Sequence, residues 1–330
     1  MTTTESAQAR LTLHDTEDFL SIAPYLLGYQ PEDRLVAVVL SGRRLAVTAA
    51  MPLTAFDDVV NAYEAFMPPL MQVSKPMVAL MAWTDDAELG EYALGLAEVW
   101  VGAEHLLDSV VVTSERWWSR DGWGSGRTQE LAHGRAAAEA VLAGLGVAGS
   151  RDDAVRAVLG PDAVDPAVFG EMARPRHVRP ADAVGLAHQL MDEPGELPLD
   201  QVAALVMMVQ DVDVRDAVWL AMDRAHAQAH LSLWLRIVAV TPTEWALVPV
   251  LLLGCASWVS GQGAVMVAAV ERALDLDPTC SLAHLLSDVI RQALSPQVWE
   301  ESRAAMVFGL AAPLGLPGPL GLPGPLGCRP

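Results

Sequence analysis

Lysine is almost missing from this chain: Lys75 is the only one among 330 residues. Basic residues total 21 against 41 acidic ones, for a formal net charge of −20. A field of that sign repels phosphate backbones at long range, so non-specific nucleic-acid binding is disfavoured. Only a local arginine cluster would override it. Cysteine is scarce too. Cys255, Cys280 and Cys328 are an odd count without metal-ligand spacing, and the first two fall inside apolar helical patterns, where a thiol behaves as a small hydrophobe. That usage suits a reducing cytoplasm and argues against a disulfide scaffold. Met1 to His14 lacks the basic-then-apolar order of a secretion signal. Unbroken apolar runs are also lacking, with one apparent exception. Trp245 to Val270 holds no charged residue, a length able to span a bilayer. Pro249, Gly254 and Ser260-Gly261-Gln262-Gly263 divide it, and the second piece continues into Glu271, Arg272 and Asp275 at helical spacing. Buried core helices are therefore expected, and no membrane span.

What the chain does contain is apolar mass. A hydrophobic fraction of 52% with 19% charged residues supplies packed cores and excludes global disorder. The length exceeds a usual single core, so two domains are expected.

The N-terminal part has the pattern of mixed α/β structure. Thr16 to Leu27 is helical and closes at Gly28. Leu35 to Leu40 and Leu45 to Ala50 are β-prone runs around Ser41-Gly42-Arg43-Arg44, a hairpin. Asp57 to Met67 is an amphipathic helix that Pro68-Pro69 should stop. Met77 to Trp83 and Leu107 to Thr113 are continuous apolar runs, hence buried strands, separated by a helix from Asp86 to about Ala103. Residues 119–130 form a glycine-rich loop without apolar periodicity. Everything after it looks helical, with segments near 132–145, 150–160, 180–192, 200–209, 213–224, 226–239, 243–259, 264–276, 282–294 and 296–308. Short connections imply antiparallel helical hairpins. Gly254 to Pro278 has the spacing of one tetratricopeptide-like unit, although Met266 stands where a small residue is expected. Pro313 to Pro330 repeats Gly-Leu-Pro-Gly-Pro-Leu, too few triplets to hold a collagen helix. The expected architecture is an α+β domain over 1–130 (a mixed sheet with flanking helices), an all-α tetratricopeptide-like domain over 131–310, and a disordered tail over 311–330.

Several stretches carry a likeness: Pro24-Tyr25-Leu26-Leu27-Gly28-Tyr29-Gln30-Pro31 before the Leu35 strand, Arg116-Trp117-Trp118-Ser119, Gly149-Ser150-Arg151, Val214-Arg215-Asp216-Ala217, and Ala269 to Leu274 followed by Asp277-Pro278 and Leu282-Ala283. Together they resemble an actinobacterial family, domain of unknown function 4192. The likeness runs in order over most of residues 10–300. It implies an actinobacterial or actinophage origin and an intracellular setting, and no reaction. The family often carries cysteine after the Arg-Trp-Trp segment; residues 120–127 here carry none, so no metal or redox role transfers to that loop.

The strongest local oddity is Arg116, Trp117, Trp118, Arg120, Trp123 and Arg127, three tryptophans and three arginines where a strand runs into the glycine-rich loop. Loops past strand ends are where α/β sheets bind ligands, and aromatic faces with guanidinium groups can stack a base and hold an anion. Against this, the tryptophans can pack under the sheet while the arginines offset nearby acids. Asp223, His226 and His230, at i, i+3 and i+7, can share a helix face, but a zinc site needs more than these and a solvated face explains them. Arg174, Arg176, His177 and Arg179 read as an exposed basic linker, and Asp213 as a helix N-cap. No catalytic motif and no cofactor fingerprint emerges. Two functions follow: a non-enzymatic interaction or scaffold protein whose helical half meets a protein partner, or a binder or enzyme using the Trp/Arg loop for a nucleotide-like anion. Oligomeric state is not encoded legibly.

Overall fold

The computed structural model describes residues 13–122, 124–143, 145–172 and 179–307. The expected tail and most of the basic linker (Arg174, Arg176, His177) lie outside them, as does Trp123. Two compact units emerge, residues 1–154 with 291–293, and residues 155–290 with 294–330.

In the first unit, α1 (Thr16–Leu27) starts where the Asp15 carboxylate accepts from the Asp18 N–H at 2.9 Å, and ends at Gly28 with φ 80°. A β-carbon strains that left-handed conformation, and glycine does not have one. The strands β1 (Arg34–Ser41) and β2 (Arg44–Pro52) pair antiparallel as the expected hairpin. Then come α2 (Val59–Met71), β3 (Pro76–Trp83), α3 (Ala87–Val101) and β4 (Leu106–Val112). Two short strands missing from the sequence pattern follow, β5 (Arg116–Ser119) and β6 (Ser125–Arg127). The sheet order is β2-β1-β3-β4-β5-β6, and every pairing is antiparallel except β3 with β4.

Leu35, Ala37 and Val39 of β1 join Leu80 and Ala82 of β3 in a core closed by Phe66 and Leu70 of α2 and Leu94 and Ala97 of α3. The alternating Val36 and Val38 are equally buried, because α1 lies against the other side of the hairpin. That two-sided burial is why β1 is a continuous apolar run. Contrary to expectation, α2 passes through Pro68 and Pro69 and ends at Met71. The two hydrogen bonds lost there would have ended on the carbonyls of Glu64 and Ala65, which are exposed residues that water can satisfy, while Leu70 is fully buried.

The expected loop at 119–130 is partly β6 because of a ring. Trp117 is buried, and a β-carbon on Gly126 would sit 2.8 Å from its Nε1, and one on Gly124 3.1 Å from its ring. These glycines let a strand lie directly on an indole. After β6, α4 (Thr128–Leu131) and α5 (Arg135–Leu142) pack on α1, with Ile22, Ala136 and Ala140 buried together. The expected boundary at residue 130 is therefore not where the chain divides; the helices up to 154 group with the sheet.

Beyond α6 (Arg151–Val155), the second unit holds α7 (Pro166–Met172), α8 (Pro180–Met191), α9 (Leu199–Met208), α10 (Val212–Ala221), α11 (Ala227–Val240), α12 (Leu247–Ser260), α13 (Gly263–Leu276), α14 (Ser281–Arg291) and α15 (Pro296–Val307). An α+β half thus precedes a helical one. Every residue of α12 from Val248 to Val259 is buried, with α11 and α13 as its main neighbours and α10 and α15 also in contact. Gly254 permits this closeness, since a β-carbon there would meet Leu286 at 3.1 Å. The charge-free stretch is divided between α12 and the first half of α13, and no helix among the described residues is long and apolar enough to cross a membrane. Asp211, not Asp213, caps α10, accepting from the N–H groups of Asp213 and Val214. Cys255 is a buried free thiol as expected, whereas Cys280 is disulfide-bonded, against expectation.

The Trp117 contact makes a stability prediction. Gly126→Ala should destabilise the first unit by about 1–3 kcal/mol, the usual cost of overpacking a rigid site, while Gly122→Ala, with open space around it but φ 80°, should cost less. Urea denaturation of both variants measures the difference.

Candidate functional site

The Trp/Arg segment is divided by its own strand. On β5 successive side chains point to opposite faces. Trp117 lines a depression with Asp18 and Ser21 of α1 and Leu131 of α4. Trp118, whose neighbour in register is Val111, faces the core under α3. There its Nε1 donates to Glu91 at 3.0 Å. Arg120 is clasped by the same helix, 2.7 Å from Glu91 and 2.7 Å from Glu98. Arg116 lies over the Trp118 ring, 5.2 Å from its centroid. Arg127 stands opposite Arg116 in the ladder and lines the Trp117 depression, of about 260 Å³, with Asp18, Glu130 and Arg135. In that depression Arg135 already pairs with Asp18 and Glu139. Arg116, Trp118 and Arg120 are therefore brought together, Trp117 and Arg127 are brought together elsewhere, and two of the first three are held by acids of α3.

A second cleft, of about 280 Å³, opens where β3 and β4 end. The last residues of both strands before it are buried, and both chains then turn polar: Trp83 is followed by Thr84 and Asp85, Val112 by Thr113 and Ser114. Gln30, Pro31, Glu32 and Asp33, leading into β1, and Thr128 complete the lining. Hydrogen bonds fix most of this wall. The Thr84 N–H donates to the Val112 carbonyl at 2.9 Å, extending the parallel ladder by one residue. Its hydroxyl donates to Asp33 at 2.6 Å. Ser114 N–H donates to Asp85 at 2.6 Å, and that bond holds the Asp85 carboxyl below its ordinary range. Thr113 donates to the Arg116 carbonyl and Thr128 to the Thr113 carbonyl, each at 2.8 Å. Asp33 has φ 48°, a left-handed conformation in which aspartate is enriched among residues other than glycine. One group is left over. Trp83 is 5% exposed, and its indole N–H is buried with no acceptor among the described residues.

A family model, domain of unknown function (DUF4192), matches residues 17–297. The chain belongs to this family. No curated protein and no solved structure matches it.

The DUF4192 likeness rests partly on residues that the structure now explains. Gln30 and Pro31 line the sheet-edge cleft, and the Gln30 N–H is anchored to the Ala148 carbonyl at 2.9 Å. Arg215 is an almost fully buried arginine on α10, paired with Asp216 at 2.7 Å. The sequence pattern of this DUF4192 chain did not point to the cleft, since its lining comes from four separate stretches. The legible signal is the abrupt change from apolar to hydroxyl and acid at both strand ends.

Asp223, His226 and His230 do not share a helix face as their spacing suggests. α11 begins at Ala227, so His226 is its N-cap and Asp223 precedes it. His226 is exposed and lies 3.0 Å from Asp223. Burial would raise the Asp223 carboxyl, but its hydrogen bonds with His226 outweigh this and hold it below its ordinary value. His230 is buried, with its ring 6.3 Å from that of His188 and its Nε2 without a hydrogen-bond partner among the described residues. No group of three metal-ligating side chains occurs among the described residues. Arg179, the one described member of the basic linker, pairs with Asp182 at 2.8 Å in the first turn of α8.

Burial pushes His230 down to about 4, against about 6.5 for an unperturbed imidazole. The neutral ring is the folded form, so its contribution is complete above pH 6.5. It is lost as the pH falls from there through about 4, by on the order of 3 kcal/mol. His230→Gln should flatten the fall in stability between those two pH values, as measured by denaturant midpoints across the range.

Proposed function

We propose that the first unit binds a small polar molecule in the cleft at the carboxyl ends of β3 and β4, and that the chain acts by binding rather than by catalysis. The observation that carries this reading is Trp83, a residue of the cleft lining whose indole N–H is buried and has no acceptor among the described residues. A buried donor left unsatisfied costs free energy that a bound acceptor recovers. Its position supports the same reading, because ligands of open α/β sheets lie outside the carboxyl ends of parallel strands. The Trp/Arg segment is a weaker candidate. Trp118 and Arg120 are already engaged by Glu91 and Glu98. The hydroxyls of Thr84, Thr113 and Thr128 donate to protein oxygens, which suits fixed walls better than nucleophiles.

The test is a thermal-shift screen of small polar metabolites against the full chain and against Trp83→Phe. A ligand at a hundred times its Kd stabilises by about 2.7 kcal/mol, and the Phe variant should lose most of that shift. A screen in which no compound shifts the wild type, or every shift persists in Trp83→Phe, overturns the proposal.

A second reading concerns the helical unit, as a scaffold for a protein partner. It is favoured by three apolar side chains exposed within one short stretch, Leu159 (70%), Val168 (44%) and Met172 (39%). Exposed apolar residues that cluster are a mark of interaction surfaces. A partner captured by the wild type and lost with Leu159→Asp/Val168→Asp would support it. Equal capture by both would remove it.

A further inference from the structure

The sheet-edge cleft has charge of one sign. Glu32, Asp33 and Asp85 are among its lining residues, and no lysine, arginine or histidine is. Of the arginines nearest in sequence, Arg127 lines the other depression and two are turned to aromatic rings. Arg34 lies over Tyr29 at 5.9 Å and Arg116 over Trp118 at 5.2 Å. Asp33 receives Thr84 through Oδ1, and Asp85 receives the Ser114 N–H through Oδ1. The Oδ2 atom of Asp33 has no hydrogen bond among the described residues, and neither has the Glu32 carboxylate, while Asp85 is bonded by both the N–H and the hydroxyl of Ser114.

The hydroxyls add to the same imbalance. Each has a single proton, and those of Thr84, Thr113 and Thr128 go to protein oxygens, so these residues offer a ligand only lone pairs. Donors are few: the Trp83 indole N–H and the Gln30 amide, since the Ser114 hydroxyl bonds Asp85. An anion would face three carboxylates with no cation to offset them. A neutral polyol would leave the charge unpaired. The wall is complementary to a cation with several N–H donors and one acceptor.

We propose that the ligand of this cleft is a small organic amine, an ammonium or guanidinium compound that also carries a hydroxyl or carbonyl oxygen. The cation is held by Asp33 and Asp85, with Glu32 at the rim, and the oxygen accepts from the Trp83 indole. This rests on the reading of the cleft as a ligand site. The formal net charge of −20 acts in the same direction, raising the local concentration of cations and their rate of encounter.

The experiment is isothermal titration of the full chain with glucosamine and agmatine, beside glucose and inorganic phosphate as neutral and anionic probes. Glu32, Asp33 and Asp85 are exposed, so Glu32→Gln, Asp33→Asn and Asp85→Asn keep the fold, and asparagine tolerates the left-handed backbone at 33. At least one amine should bind, with affinity reduced tenfold or more in Asp33→Asn and in Asp85→Asn, and reduced in Trp83→Phe. Glucose and phosphate should not bind. Glucose or phosphate binding that Trp83→Phe abolishes would overturn the amine class and leave the cleft as a ligand site. Amine binding unchanged in all these variants would mean cations collecting elsewhere on an acidic surface, and would overturn the proposal. The absence of binding by any amine would also overturn it. The wider metabolite screen on Trp83→Phe then decides separately whether the cleft itself stands.

Discussion

Two parallel strands cannot be joined by a tight turn, because the chain must travel back the length of the sheet before the second can begin. Between β3 and β4 that return is α3, the only such crossover among the described residues, in a sheet otherwise built from antiparallel neighbours. Much of the first unit follows from it. The crossover puts the ends of β3 and β4 side by side at one edge, so two chain segments leave the apolar core at the same place and both become polar there. The same helix presents Glu91 and Glu98 to the next strand, where they hold Trp118 and Arg120. One connection thus opens the cleft and braces the strand beside it.

The large features of this fold were legible because they are local and repetitive. Thr16 to Leu27 has a capping aspartate before it and a glycine after it, and β1 and β3 are continuous apolar runs of strand length, β1 with three valines. β5 and β6 escaped for the opposite reason. A strand of three or four residues contains too few side chains to show a period, and the glycines of β6 make sense only once the Trp117 ring is known to lie against them. The prolines in α2 misled because a proline's cost depends on whether the carbonyls it strands can reach water, and that is a tertiary fact.

The site was less legible than the fold. Three tryptophans and three arginines in a dozen residues draw the eye, but a strand sorts neighbours onto opposite faces, and helix α3 supplied the acids that engage two of them. Nearness in sequence was a poor guide to nearness in function. The cleft residues near 30–33, 83–85, 112–114 and 128 come together only through sheet order. Asp223, His226 and His230 show the same limit on a smaller scale. Their spacing suggests a shared face only if the helix begins before Asp223, and it begins after His226.

The burial of α12 on every side has a consequence for how the helical unit holds together. In a solenoid each hairpin touches only its neighbours, so an end can fray while the rest persists. Here α10, α11, α13 and α15 all contact one central rod, and none of them can leave without uncovering it. The helices around α12 are bound into one cooperative body, in which the amides of the central helix exchange with solvent only when the whole comes apart.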